Sequence, residues 1–217
     1  MIGLIIGDGY MNENGRLSVE HGEKQEEYCR YKAALLHSVT GGKEIKVHKN
    51  ERIHSKRKDG KEWKTNNFTT FSFRKQSKSF IEFRNLLYKE GKKTITQELL
   101  DLMDETSIML WWLDDGNLNR KQTIDKKPGS YCLRLYVFKS IEECELIQKW
   151  FLEKYNVKWN IIKSEDPYLF NLYCGVREGV KFINLIQKTV LEKIPSMKYK
   201  ALDIWQERRA PKGDEIV

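Results

Sequence analysis

The stretches GLIIGDGY, residues 3–10, and WWLDDGNL, residues 111–118, each run an apolar segment into an aspartate followed by glycine. Both read as buried helices with an acidic group at the carboxyl end. A lone apolar helix closed by Asp-Gly is ordinarily no more than a helix with a stop. Two of them in one chain raise the question of internal repetition. KQEEYC (24–29) resembles SIEECE (140–145), and an alternating run precedes each, RLSVEHG at 16–22 and YCLRLYVF at 131–138. FIEFRNLL (80–87) matches GVKFINLI (179–186), which sets Phe83 and Asn85 on Phe182 and Asn184. Lys93 follows Asp8 by 85 residues, and Lys200 follows Asp115 by the same 85. Four matches in one order define two copies of a unit, residues 1–96 and 107–217, with a linker at 97–106.

Within each copy the hydrophobic period switches between that of a helix and that of a strand. Residues 1–8 and 107–114 read as helices, and 16–22 and 131–138 as half-buried strands. Helices follow at 24–38 and 140–155, the first stopped by Gly41-Gly42. Strand pairs are expected at 43–48 with 67–74 and at 157–163 with 167–174, then helices at 77–89, 176–190 and 197–208. Strands joined to near neighbours form antiparallel sheets. The fold class is therefore α+β, two pseudo-symmetric repeats of αββαββα content.

Composition narrows the function. Forty per cent hydrophobic residues and 25 aromatics suffice for a core, and Trp111, Trp112, Trp150 and Trp159 are assigned to it. No apolar stretch approaches the roughly 20 residues of a membrane span, and no secretory signal is visible, so an intracellular setting is expected. Cys29, Cys132, Cys144 and Cys174 form no CxxC pair and no zinc spacing with the histidines, and read as buried, reduced thiols. The net charge of +8 calls for a polyanionic partner, and Lys43 to Lys64 concentrates nine basic residues against four acidic ones.

These residues together resemble the LAGLIDADG homing endonucleases, in the form that carries two motifs in one chain. GLIIGDGY and MLWWLDDGN stand where that family has its signature helices, and KKTI and IPSMKYK also look like the family's segments. The resemblance spans about residues 2 to 206. It implies a saddle whose two antiparallel sheets bind DNA, and a monomer acting on a long, near-palindromic or asymmetric double-stranded site. Asp8 and Asp115 would meet at the seam and hold Mg²⁺ (or Mn²⁺) for cleavage of both strands across the minor groove. The preceding Gly7 and Asp114 belong to the metal neighbourhood, Asp114 as a neighbour of Asp115 and not a ligand in its own right. Gly3 and Gly7 would let the helices approach closely. Lys93 and Lys200 would be catalytic, stabilising charge beside the scissile phosphates.

The family's water-organising position falls on His21 in the first copy and on Val137 in the second, which suggests unequal half-sites. The DNA-reading set is Arg16, Ser18, Glu20, His21, Lys64, Asn66, Thr70, Ser72 and Arg74, with Arg134, Tyr136, Lys158, Asn160, Lys163 and Asn171 in the second copy. Two other readings use the same scaffold: an RNA-binding intron maturase, and a DNA-binding protein that does not cleave. Retention of both aspartates favours cleavage. An intein setting is disfavoured, since the chain neither begins with a nucleophile nor ends in His-Asn, while Met1, seven residues before Asp8, leaves room for an upstream segment.

Overall fold

Two four-stranded antiparallel sheets carry the same strand order, and a buried apolar helix leads into each. The computed structural model describes residues 1–52, 68–122 and 128–201. The first half runs α1 (Ile2–Ile6), β1 (Tyr10–Met11), β2 (Arg16–Gly22), α2 (Glu26–Thr40), β3 (His48–Arg52), β4 (Phe68–Gln76) and α3 (Ser79–Leu87). A small hairpin, β5 (Tyr88–Lys89) with β6 (Lys92–Lys93), and the short α4 (Gln97–Asp101) lead into α5 (Glu105–Asp115). The second half continues with β7 (Gly116–Gln122), β8 (Pro128–Lys139), α6 (Ile141–Tyr155), β9 (Asn160–Lys163), β10 (Phe170–Cys174) and α7 (Val176–Lys193). A 3-10 segment, Pro195–Lys200, follows. Sheet orders are β1-β2-β4-β3 and β7-β8-β10-β9. The content of each half is αββαββα.

The alternation read from the sequence decides which face of each sheet is buried. In β2, Leu17, Val19 and His21 turn inward while Arg16, Ser18 and Glu20 face out or lie half-buried. In β8, Leu133, Leu135 and Val137 are buried, and Arg134, Tyr136 and Phe138 occupy the other face. The helices α2 and α6 cover the inner faces. Ser140 and Glu143 form a reciprocal capping box at the start of α6, satisfying two otherwise unpaired amides. All four tryptophans assigned to the core are buried, as are the four free cysteines.

Between the halves lie α1 and α5. Every residue of α1 is buried, as are Ser107 to Leu113 of α5. The approach is so close that a Cβ on Gly3 would overlap the Ser107 backbone, and one on Gly7 would strike the Asp114 side chain. Glycine is required here for space. The same is true of Gly116, whose φ of −83° and ψ of 147° are ordinary extended values. It does not stop α5 through a left-handed turn; a Cβ there would enter the Trp112 ring.

Several expected boundaries move. The strand expected at 43–48 begins instead at His48, because buried Ile45 and half-buried Val47 anchor an irregular approach to it. The first strand of each copy, β1 and β7, was not among the expected elements. Within the segment 97–106, expected as a linker, α4 buries Leu99 and Leu100. The closing helix expected at 197–208 is a short 3-10 segment up to Lys200, and its remainder from residue 202 lies outside the described residues. Among the described residues, no helix is long and apolar enough to cross a membrane.

Candidate active site at the helix seam

The two signature helices deliver Asp8 and Asp115 to one place, by different local routes. Helix α5 runs through to Asp115, and the Gly116 amide donates to Trp112 O. Helix α1 stops at Ile6 and ends in a wider turn, in which the Gly9 amide donates to Leu4 O at 3.0 Å. Leu4 O is the acceptor that a continued α-helix would give Asp8. The Asp8 amide donates instead across the seam to Asp114 Oδ2, 2.9 Å away.

The side chain of Asp114 is fully buried, and so is that of its partner. Lys32 on α2 donates to both Asp114 oxygens, at 2.6 and 2.7 Å, and both side chains have 0 % exposure. The Lys32 ammonium also lies 3.0 Å from His21 Nε2 and 4.4 Å from the centre of the Tyr28 ring. An ammonium only donates, so His21 Nε2 accepts and its ring proton sits on Nδ1, which faces Asp8 Oδ2 at 3.7 Å. Burial, reinforced by the Lys32 charge, pushes the His21 pKa down to about 4, so the imidazole is neutral. His21 is therefore removed from the open sheet face, where it was expected to help read DNA, to a buried position beside Asp8.

The two matched lysines take equivalent places. Lys93 donates to Gly7 O at 2.6 Å and Ile6 O at 3.4 Å, and Lys200 donates to Leu113 O at 2.7 Å and Asp114 O at 3.1 Å. Each satisfies carbonyls at the end of its own signature helix, where a cation also meets the negative end of the helix dipole. Burial lowers both ammonium pKa values, opposed by Asp8, Asp114 and Asp115.

Burial, then the Asp114 and Asp8 carboxylates, push Asp115 up to about 7 despite Lys93 and Lys200. Asp8 is raised by burial and Asp114, but its side chain is 47 % exposed and more screened by water. Asp8 and Asp115, the first helping to raise the second, are a fit donor set for a hard divalent cation, which would relieve that repulsion. A second acidic cluster, Asp8, His21 and Asp114, has ligand atoms within 4.8 Å of one another. Its cation is Lys32, whose ammonium already lies against Asp114 and His21.

A stability signature follows for the metal-free protein. A carboxyl that binds its proton more tightly when folded stabilises the fold at low pH and loses that contribution as pH rises through its folded pKa. For Asp115 the contribution is complete below the unfolded value of about 4 and is lost as pH passes about 7. Thermal unfolding in chelator should show this decline, and Asp115→Asn should flatten it. Added Mg²⁺ should raise Tm more at about pH 8 than at about pH 5, since a ligand must be deprotonated. Equal Mg²⁺ shifts at both pH values would count against Asp115 as the ligand.

Around the seam the open sheet faces carry most of the expected reading residues. Arg16, Ser18 and Glu20 lie beside Ser72 and Arg74 in register, with Ser18 opposite Arg74 and Glu20 opposite Ser72. A groove lined by Tyr10, Ser18, Glu20, Ser72 and Arg74 connects that face to Asp8 and His21. Thr70 is buried, and Asn50 of β3 donates to Ser72 Oγ at 2.9 Å. In the second half Arg134, Tyr136 and Lys163 line one groove with Phe138. Asn171 also reaches it, but is 3 % exposed and accepts the Phe138 amide at 3.1 Å, so it is held by the sheet. Asn160 is exposed in β9, and exposed Lys158 precedes that strand with its amide donating to Glu178. Lys64 and Asn66 lie outside the described residues, as does much of the basic stretch.

Sequence reasoning missed Lys32 and Phe138. The first had a signal: Tyr28, Lys32 and Leu36 recur at a four-residue spacing on the buried face of α2, so a lysine stands at a core position. Phe138 is 52 % exposed on the open face of β8, stacked on Tyr136 at 5.9 Å.

A family profile described as the LAGLIDADG DNA endonuclease family matches residues 1–182. The chain belongs to that family. Among solved structures it is similar to the homing endonuclease I-WcaI bound to its DNA recognition sequence, at 24 % identity and a TM-score of 0.71. That match covers 93 % of this chain and 83 % of the other, and supports the fold. Full-length DUF199/WhiA from Thermatoga maritima shares the architecture more distantly, with a TM-score of 0.50 at 13 % identity over 95 % of this chain and 62 % of that one. Among curated sequences, Protein RecA of Mycolicibacterium flavescens is 26 % identical over 213 residues, covering 93 % of this LAGLIDADG chain and 45 % of that protein. Protein RecA of Mycobacterium gastri is 25 % identical over 127 residues, 55 % of this chain and 26 % of its own length. The chain thus spans less than half of either of these curated relatives.

Proposed function

We propose that this LAGLIDADG protein is a site-specific endonuclease that makes double-strand breaks in DNA, acting as a monomer of two repeats, 1–96 and 107–217. The observation that carries the reading is the meeting of Asp8 and Asp115 at a pseudo-symmetric seam flanked by two antiparallel sheets. Asp8 and Asp115 would hold Mg²⁺ or Mn²⁺, with the backbone at Gly7 and Asp114 alongside. When bound, the metal supplies an activated water and a polarised phosphate. The chain's own residues hold the geometry: Lys93 and Lys200 pin the last carbonyls of the signature helices, and the buried seam fixes the separation of the carboxylates. Arg16, Ser18, Glu20, Ser72 and Arg74 face one half-site, and Arg134, Tyr136, Asn160 and Lys163 the other, through the major groove.

The decisive experiment is cleavage of a randomised or intron-junction target library with and without divalent metal. Cutting in Mg²⁺ or Mn²⁺, and binding without cutting in Ca²⁺, are expected. Specific binding with no cutting in any metal would favour the non-cleaving alternative; preference for intron RNA would favour a maturase. Affinity should fall steeply with salt as phosphate counterions are released. Lys93→Ala and Lys200→Ala should each slow cutting by roughly 10²-fold while changing binding little. Equal losses in rate and affinity would make these lysines simple phosphate clamps.

A further inference from the structure

We propose that the buried Lys32–Asp114 pair is a positioning device for Asp8 alone, and that it makes the two strands of the DNA react at unequal rates. The inference rests on the endonuclease reading and adds an asymmetry to it. Because the turn after α1 gives Leu4 O to the Gly9 amide, the Asp8 amide depends on the Asp114 carboxylate. Asp115 sits within α5 and needs no such help. Lys32 donates to both oxygens of the Asp114 carboxylate and directs its remaining proton to His21. All three donors of its ammonium are then engaged within the protein, which leaves none for substrate. Lys32 and Asp114 therefore act through Asp8.

Among the described residues of the second half, nothing repeats this arrangement. With Glu26-Glu27 set on Glu142-Glu143, Lys32 falls on Gln148, whose amide donates to Trp159 O at 2.6 Å. His21 falls on buried Val137, and Asp114 corresponds to Gly7. Each of the three contributors is replaced by a neutral or absent side chain. The fixed orientation of Asp8 is thus supported by a charged network that the Asp115 centre lacks.

The test replaces the pair as a pair, since removing one partner would leave a buried charge uncompensated. Lys32→Met with Asp114→Ala removes both the charge and the acceptor for the Asp8 amide. Lys32→Met with Asp114→Asn removes the charges but keeps a carbonyl acceptor. On end-labelled target duplex, the first double variant should change the ratio of the two strand-cutting rates by about tenfold or more, the scale of one charge-assisted hydrogen bond. The second should restore most of the wild-type ratio, and binding in Ca²⁺ should be retained by both. Amide exchange at Asp8, followed by NMR without metal or DNA, should be slow in the wild type, fast in the alanine variant and slow again in the asparagine variant. Equal slowing of both strands, an unchanged strand ratio or an Asp8 amide indifferent to Asp114 would overturn the proposal. A wild-type chain that cuts neither strand would overturn the endonuclease reading and the strand inequality with it. The exchange measurement would still decide whether the pair positions Asp8.

Discussion

Asp8→Asn and Asp115→Asn should each abolish double-strand cleavage while leaving specific DNA binding intact or slightly tighter. Asparagine keeps the shape of the side chain but takes one charge from the site proposed to hold a hard cation. The metal's share of transition-state stabilisation is several kcal/mol, so a loss of roughly 10³-fold in rate is expected. Binding is spared because the lost charge had also been repelling its neighbours: Asp115 is raised by burial and then by Asp114 and Asp8. Each substitution also removes repulsion toward the phosphates. A single variant that still breaks both strands at the wild-type rate would sink the paired-carboxylate mechanism.

The second large effect is on folding. Gly3 lies directly on the Ser107 backbone, where a side chain has no flexible neighbour to push aside. Gly3→Val should therefore cost about 3 kcal/mol, the upper end of overpacking effects, and lower Tm by roughly 6–12 °C for a chain of this size. Gly175 is a suitable control, since a Cβ there meets nothing within 4 Å; Gly175→Ala should shift stability by less than about 1 kcal/mol. Equal Tm values for Gly3→Val and the wild type would mean that α1 and α5 do not pack as described.

Most of the architecture could be read because duplication left its mark twice. The aspartates, the lysines and the strand-helix order gave two versions of each element, and the observed halves share one sheet order. What escaped was polar at an edge. The β7 sequence GNLNRKQ has no alternation and reads as a loop, and β3 (HKNER) is polar throughout; both are edge strands, paired on one side only. Period alone finds strands with several apolar residues on one face, and these two sequences supply a single one, Leu118, which is half-buried against the core.

At the site, the aspartates and matched lysines were legible as a set, while their local roles were not. His21 shares the parity of Leu17 and Val19, so the alternation already placed it inward, while the resemblance set it at the water-organising position and it was also counted in the DNA-reading set. Lys32 was hidden by habit of reading, since lysine in a helix is usually solvated. The basic stretch offered charge without periodicity, and charge predicts a partner but no geometry.

The lysine segments are also held from outside their own halves. Glu143 of α6 accepts the Ile95 amide at 2.8 Å, two residues beyond Lys93, and Lys139 donates to Lys93 O. Reciprocally, Glu27 of α2 accepts the Ser196 amide at 2.8 Å, four residues before Lys200. Glu27 and Glu143 occupy the same place in the two copies, so each latches the other's closing segment. In a chimera that joins the front of this chain to the back of a relative, each latch would pair a glutamate from one parent with a backbone amide from the other, so neither would have its native partner. Such a hybrid should recognise its composite target well before it learns to cut it.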